Sequence, residues 1–247
     1  MERFRCRAVV LSSVDYGDSD KVVTLLTDER GRLAAFARGA RKSRRRFAGV
    51  LEPFSLLEAQ LCETRGDTFR LDAVELLDGF GELRVDLGRI ARGAYASELC
   101  RELCREREPH PELFALLCRF LQALARGGAD ALGLMRFELA ALAHAGLMPQ
   151  LDRCARCGVP ALEQALFDPE HGGVVCPACA PGLLGTRISA EAARALATLQ
   201  RASTDEPFEV PARVRAEARA ALSGFVAHHL GRRLKSYEFM RQMGVEA

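Results

Sequence analysis

Apolar and polar positions along the first eighty residues fall into short runs of the kind that strands bury on one face. Residues 5–14 (RCRAVVLSSV), 21–27 (KVVTLLT) and 32–38 (RLAAFAR) are apolar-rich, and the first two carry β-branched residues. The turn 28–31 (DERG) precedes the third. Two further strands, 54–63 and 68–77, flank Thr64-Arg65-Gly66-Asp67, a hairpin turn in which Gly and Asp tolerate the backbone angles. The connections between the strands are too short for crossover helices. Closure into a small five-stranded barrel of the oligonucleotide/oligosaccharide-binding (OB) kind is therefore expected, because it hides the strand edges.

From residue 83 the period changes to that of helices. Leu83, Leu87, Ile90, Ala94, Leu99 and Leu103 predict an amphipathic helix over 83–107, stopped by Glu108-Pro109-His110-Pro111. Helices over 112–126 and 129–145 end at Gly127-Gly128 and Gly146, matching the glycine preference beyond a helix C-terminus. Further on, Gly182 and Gly185 mark a linker and Ser189 caps a helix running to Arg201. A loop follows over 203–211. One final helix is predicted over 212–241, with Leu222, Phe225, Val226, Leu230, Leu234 and Phe239 facing inward. The basic residues Arg232, Arg233, Lys235 and Arg241 are read as solvated complements of the negative helix end.

Charge sharpens this picture. Residues 30–51 hold eight basic side chains and no acid, in a chain of net charge +2, so the remainder carries −6. Six of the nine residues 38–46 are basic: Arg38, Arg41, Lys42, Arg44, Arg45 and Arg46. Such crowding repels itself unless phosphates or counter-ions neutralise it, and it lies in the loop after the third strand, on the rim that OB barrels use for single strands. These six side chains are the candidate nucleic-acid contacts. Stacking partners are few, since the chain has no Trp. Phe36 and Phe54 are expected in the core. Phe47, directly after three arginines, either stacks on bases or anchors the loop, and Tyr16 at a turn tip is open to both roles. Binding of this kind is directed at phosphates, sensitive to salt and nearly indifferent to sequence.

The nine cysteines separate into two groups. Cys6, Cys62, Cys100, Cys104 and Cys118 lie in strands and helices and read as small buried hydrophobes. Cys154-Ala-Arg-Cys157 and Cys176-Pro-Ala-Cys179, eighteen residues apart, have the spacing of a four-cysteine zinc knuckle. Four thiolates close the metal's shell and leave no place for an activated water, so the Zn2+ is structural. His171 in the intervening turn is read as a surface residue. The one His-x-Glu, His110-Pro111-Glu112, has no Pro-Cys-x-x-Cys to accompany it, as zinc deaminases require. Phosphate-loop, Gly-x-Ser-x-Gly and His-Glu-x-x-His patterns are also missing from the sequence, and catalysis is not expected. The N-terminal segment has no apolar run ending in a cleavage site, and no stretch approaches a membrane helix, so a cytoplasmic place is expected.

Taken in order, Asp15-Tyr16-Gly17-Asp18-Ser19-Asp20-Lys21, Gly39-Ala40-Arg41-Lys42, Leu51-Glu52-Pro53-Phe54, the paired Cys-x-x-Cys and Leu234-Lys235-Ser236 resemble the DNA repair protein RecO family over essentially the whole chain. The fold implied is α+β and multidomain: an OB barrel at 1–80, a helical domain at 81–150 and 186–247, and a zinc knuckle inserted at 151–185. The function implied is that of a recombination mediator of the RecF pathway. Such a protein binds single- and double-stranded DNA and anneals complementary strands. With RecR it helps load RecA onto DNA coated by single-strand-binding protein, whose acidic tail would dock on the helical domain. It would associate with the nucleoid. The competing reading is a zinc-containing protein-interaction adaptor that does not touch DNA.

Overall fold

The computed structural model describes residues 2–43, 45–47, 49–160, 164–201 and 209–245. The chain packs as two units, Met1–Gly128 and Ala129–Ala247.

The first unit is built on five strands: β1 (Arg3–Tyr16), β2 (Asp20–Thr27), β3 (Gly31–Ala37), β4 (Leu56–Cys62) and β5 (Phe69–Asp78). They close into a barrel of order β1-β2-β3-β5-β4, sealed by a short parallel pairing of β3 with β5. This is the expected OB architecture. Its interior follows the strand alternation: Ala8, Val10, Val23, Leu25, Leu33, Ala35, Leu57, Leu61 and Leu71 all point inward. Val9 and Leu26 are register partners on the opposite face and are nonetheless fully buried. That face is covered because α1 (Leu87–Leu103) and α2 (Pro111–Ala125) pack on β1 and β2.

Helix α1 is shorter than its apolar period suggests. A 3-10 turn occupies Gly81–Val85, and the Asp86 carboxylate then accepts the Arg89 amide at 2.8 Å, so the helix starts only after this cap. At the other end Cys104 is extended, and the chain is drawn onto β3, where the Arg107 amide donates to the Arg32 carbonyl at 3.1 Å. This crossing explains Gly31. Its φ is +66°, and a Cβ there would overlap the Glu108 carbonyl. Gly31→Ala should therefore cost about 2–3 kcal/mol, combining left-handed strain with backbone overlap. A urea midpoint equal to that of the parent chain would refute the account.

The second unit contains α3 (Ala131–His144), a three-stranded sheet of β6 (Gln164–Asp168), β7 (Gly173–Val175) and β8 (Thr186–Ser189), then α4 (Ala190–Arg201), α5 (Ala212–Leu230) and α6 (Lys235–Gln242). The knuckle hairpin is present as β6 and β7, and β8 begins directly after the linker marked by Gly182 and Gly185. Ser189 caps α4 as expected, its hydroxyl accepting the Ala192 amide at 3.2 Å. The single helix expected over 212–241 is two. Gly231 has φ +67° and ends α5 in the left-handed conformation that favours glycine, and Leu234 turns back into the core before α6 begins. The break changes the facing of α6: Met240 is buried, whereas Phe239, expected inward, is exposed. Most of the loop expected over 203–211 lies outside the described residues.

A buried ion pair joins α3 to α5. Glu138 is wholly inaccessible and Arg219 nearly so, and the guanidinium grips the carboxylate bidentately through Nη1–Oε2 and Nη2–Oε1, the latter at 2.7 Å. Arg219 also lies 5.7 Å from the Tyr237 ring of α6.

Candidate nucleic-acid interface and metal centre

The loop after β3 is tied to the barrel by several hydrogen bonds. Gly39, at φ +69°, turns the chain into a 3-10 turn at Ala40–Lys42. Asp20 Oδ1 accepts the Gly39 amide at 2.7 Å, and the Arg41 amide donates to the Ser19 carbonyl at 2.9 Å. Ser43 Oγ accepts the amides of Arg46 and Phe47 at 3.1 and 3.3 Å. Phe47 is 1% exposed and belongs to the barrel core, so of its two expected roles it fills that of anchor. A stacking ring would need an open face, and Phe47 has none.

Between these anchors the basic side chains face outward: Arg38, Arg41, Lys42, Arg45 and Arg46 are exposed, and Arg44 lies outside the described residues. Their surroundings differ. Arg41 Nε pairs with Asp15 at 3.3 Å, and its Nη1 donates to the carbonyls of Gly17 and Asp18 at 3.3 and 3.5 Å. Arg46 donates to the Arg38 carbonyl at 2.8 Å and lies over the Phe47 ring. The side chains of Arg38, Lys42 and Arg45 make no hydrogen bond or ion pair with any described residue. Arg41 and Arg46 thus shape the loop, while the other three present exposed charge with no ion pair among the described residues.

Phe36 is not in the core as expected. Along β3 the inward positions are Leu33, Ala35 and Ala37, and Phe36 takes the alternate, outer side. There it meets Tyr16 edge to face, with ring centroids 5.6 Å apart. Phe54 is buried as expected, against the backbone of Gly93 in α1. The basic residues near the chain's end are engaged: Arg233 and Arg241 both lie 3.4 Å from Glu238.

In the second unit the four knuckle cysteines converge. The sulfurs of Cys154, Cys157, Cys176 and Cys179 all lie within 4.8 Å of one another, and no other described residues form a comparable ligand group. Local backbone geometry brings them together. Gly158, at φ +74°, closes the first knuckle by donating to the Cys154 carbonyl at 2.9 Å, and the Cys179 and Ala180 amides close the second on the Cys176 carbonyl. The Ala155 amide then ties one knuckle to the other through the Val174 carbonyl at 2.8 Å. Thiolates at about 2.3 Å from a tetrahedral ion stand about 3.8 Å apart. Cys157 Sγ and Cys176 Sγ stand 3.8 Å apart, so the donor set fits a metal ion.

Burial raises the Cys154 thiol, but backbone amides of Cys176, Cys157 and Arg156 outweigh it and bring the group down to about 6. Cys179 moves the other way, up, through hydrogen bonds to Cys176 and Cys157 and through burial. Four neighbouring sulfurs cannot all ionise unaided, and a divalent cation would displace the remaining protons. His171 stands outside the cluster, its Nδ1 2.7 Å from the buried Asp168 carboxylate. Burial lifts the Cys6 and Cys104 thiols to about 12, Cys118 to about 11 and Cys100 well above the usual thiol range, which leaves these four unreactive. No helix among the described residues is long and apolar enough to cross a membrane.

Comparison with known proteins agrees with both parts of this chain. Family models described as "Recombination protein O N terminal" and "Recombination protein O C terminal" match residues 1–80 and 84–238. Among curated proteins, the DNA repair protein RecO of Myxococcus xanthus is 52% identical over 246 residues, covering all of both chains. That of Anaeromyxobacter sp. (strain K) is 52% identical over 99% of this chain and 98% of its own. The RecO protein of Geobacter sulfurreducens is 38% identical over 98% of this chain and 99% of its own. With a closed OB barrel in the N-terminal match, a four-cysteine cluster in the C-terminal one and full-length identity above any fold-level resemblance, the chain belongs to the RecO family.

Proposed function

We propose that this chain is a DNA repair and recombination mediator that acts by binding DNA, without catalysing a reaction of its own. The observation carrying this reading is the loop of Arg38, Lys42 and Arg45, whose side chains are exposed on an OB barrel and make no ion pair among the described residues. Phosphates are the ligands that such a site fits, because each guanidinium or ammonium that replaces a condensed counter-ion releases it to solvent. Single and double strands both offer phosphates. Two strands neutralised at one loop repel each other less, so complementary bases can meet, and base pairing drives annealing without a nucleotide cofactor. The family setting supplies the proposed partners: RecR, the tail of single-strand-binding protein and, through them, RecA. The proposed place of action is the cytoplasm, at the nucleoid.

The four cysteines would hold Zn2+. In that position the ion would fix the knuckle, with no open coordination site for chemistry. Every other role belongs to the protein: the loop binds, and Arg41 and Arg46 hold its shape.

Salt dependence tests the proposal. Affinity for a mixed-sequence single strand should fall steeply with salt. Arg38→Glu, Lys42→Glu and Arg45→Glu together should reduce the log–log slope by about 2–3, one unit for each phosphate left unneutralised. A wild-type chain that binds no strand at low salt would replace the mediator reading with that of a protein-interaction adaptor.

A further inference from the structure

We infer that Tyr16 and Phe36 form a stacking platform for unpaired bases beside the basic loop, so that the barrel distinguishes single strands from duplex by base contact. The inference rests on the reading of that loop as the phosphate contact.

The strand register places the platform. Val14 pairs with Val22, and Val22 with Phe36, so the three side chains form a row across β1, β2 and β3 on the outer face. Tyr16, two residues beyond Val14, extends the row to the end of β1. Val14 is 63% exposed and Tyr16 60%. An isolated exposed apolar residue needs no explanation, but here two rings and two valines lie together on the solvent side of a barrel with a full interior. The edge-to-face contact at 81° leaves the rings unstacked on each other, and most of Tyr16 open to a third partner.

The platform and the loop are joined by direct contacts. Arg41 holds the carbonyls of Gly17 and Asp18 in the turn that carries Tyr16, and its Nε holds Asp15. Asp20, the register partner of Tyr16, accepts the Gly39 amide from the loop. Arg38 lies two residues past Phe36. A ligand that offers phosphates to Arg38, Lys42 and Arg45 therefore carries its next groups onto the rings. Charge complementarity selects the occupant. An acidic peptide offers charge without flat apolar faces, and a duplex keeps its base faces stacked inside, whereas an unpaired strand presents both phosphates and free faces.

The absence of tryptophan supplies a clean probe. In Tyr16→Trp the new indole is the only one in the chain, and a stacked base should quench it. Quenching is expected with a mixed-sequence single strand and not with an abasic strand of equal length and charge, nor with duplex. In parallel, Tyr16→Leu with Phe36→Leu should weaken the mixed strand about tenfold while leaving the abasic strand, the duplex and the salt slope unchanged. An indole unaffected by the single strand, or equal weakening on all three ligands, would overturn the platform. Should the leucine pair fail to fold, the Tyr16→Trp measurement alone decides. The two readings separate cleanly. Abasic binding that is lost on reversing Arg38, Lys42 and Arg45 upholds the loop whatever the rings do, and a parent chain that binds neither strand removes both.

Discussion

A chain with Cys154 and Cys179 both replaced by serine should lose its metal and, with it, the ordered knuckle. The reason is visible in what surrounds the sulfurs. Among the described residues, the buried cluster there consists of Cys154, Val175 and Cys176, with Cys179 and Leu183 packed against it. Its strands are five and three residues long. At the sulfurs the ligands themselves supply most of the apolar packing, the buried Phe167 and Val174 lying farther along the sheet. Structural zinc sites contribute on the order of 10–16 kcal/mol of apparent binding free energy, and in small metal-dependent units that binding energy is folding energy. Metal analysis should fall from one zinc per chain to none. Amides of the second unit from Cys154 to Val175 should exchange freely, and a chelator should reproduce the effect on the parent protein. A doubly substituted chain that keeps protected knuckle amides without metal would show that the ion is dispensable there.

The second large effect is expected at Glu138. Removing its carboxylate by Glu138→Ala takes from Arg219 the bidentate partner it grips inside the helical packing. Breaking a buried pair on one side costs about 3–5 kcal/mol, because the remaining charge keeps its desolvation cost. The second unit should melt roughly 10–20 °C lower. Replacing both residues with apolar side chains of similar size should recover much of that loss, since the pair is weak evidence of net stabilisation in itself. A single substitution as stable as the parent would mean that solvent reaches Arg219.

The barrel was legible because alternation is a local property. Leu33, Ala35 and Ala37 announce a half-buried strand whatever they pair with. The same alternation places Phe36 outside, and counting from Leu33 would have moved it from the core to the surface. Phe47 was ambiguous for a different reason: after three arginines its neighbours describe a solvated loop, and only the folded barrel shows that the ring joins its core. The four sulfurs were readable from spacing alone, since two knuckles and a return hairpin leave little freedom in where the thiols meet. The long terminal helix hid its break because Leu230 and Leu234 keep helical spacing across Gly231, although a glycine followed by two arginines carried the signal of a helix end. The pair of Glu138 and Arg219 was out of reach. Eighty-one residues separate them, and nothing in either helix indicates that one inward charge awaits another. The division of labour within the basic loop was equally hidden, because Arg41 and Arg45 are the same residue type in similar company, and only the turn at Gly17 and Asp18 makes a brace of Arg41, while Arg45 has no ion pair among the described residues.

The knuckle's sheet is not a detachable appendage. Its middle strand, β6, pairs on one side with β7, which leads into Cys176, and on the other with β8, which runs into α4 without an intervening loop. Glu217 of α5 also holds the Ser189 amide at that junction, at 3.0 Å. Excising residues 151–185 to obtain a minimal helical fragment would strip β8 of its neighbour and expose a raw strand edge at the start of a helix, inviting self-association. A useful deletion would have to preserve β6, or replace it with another strand in register.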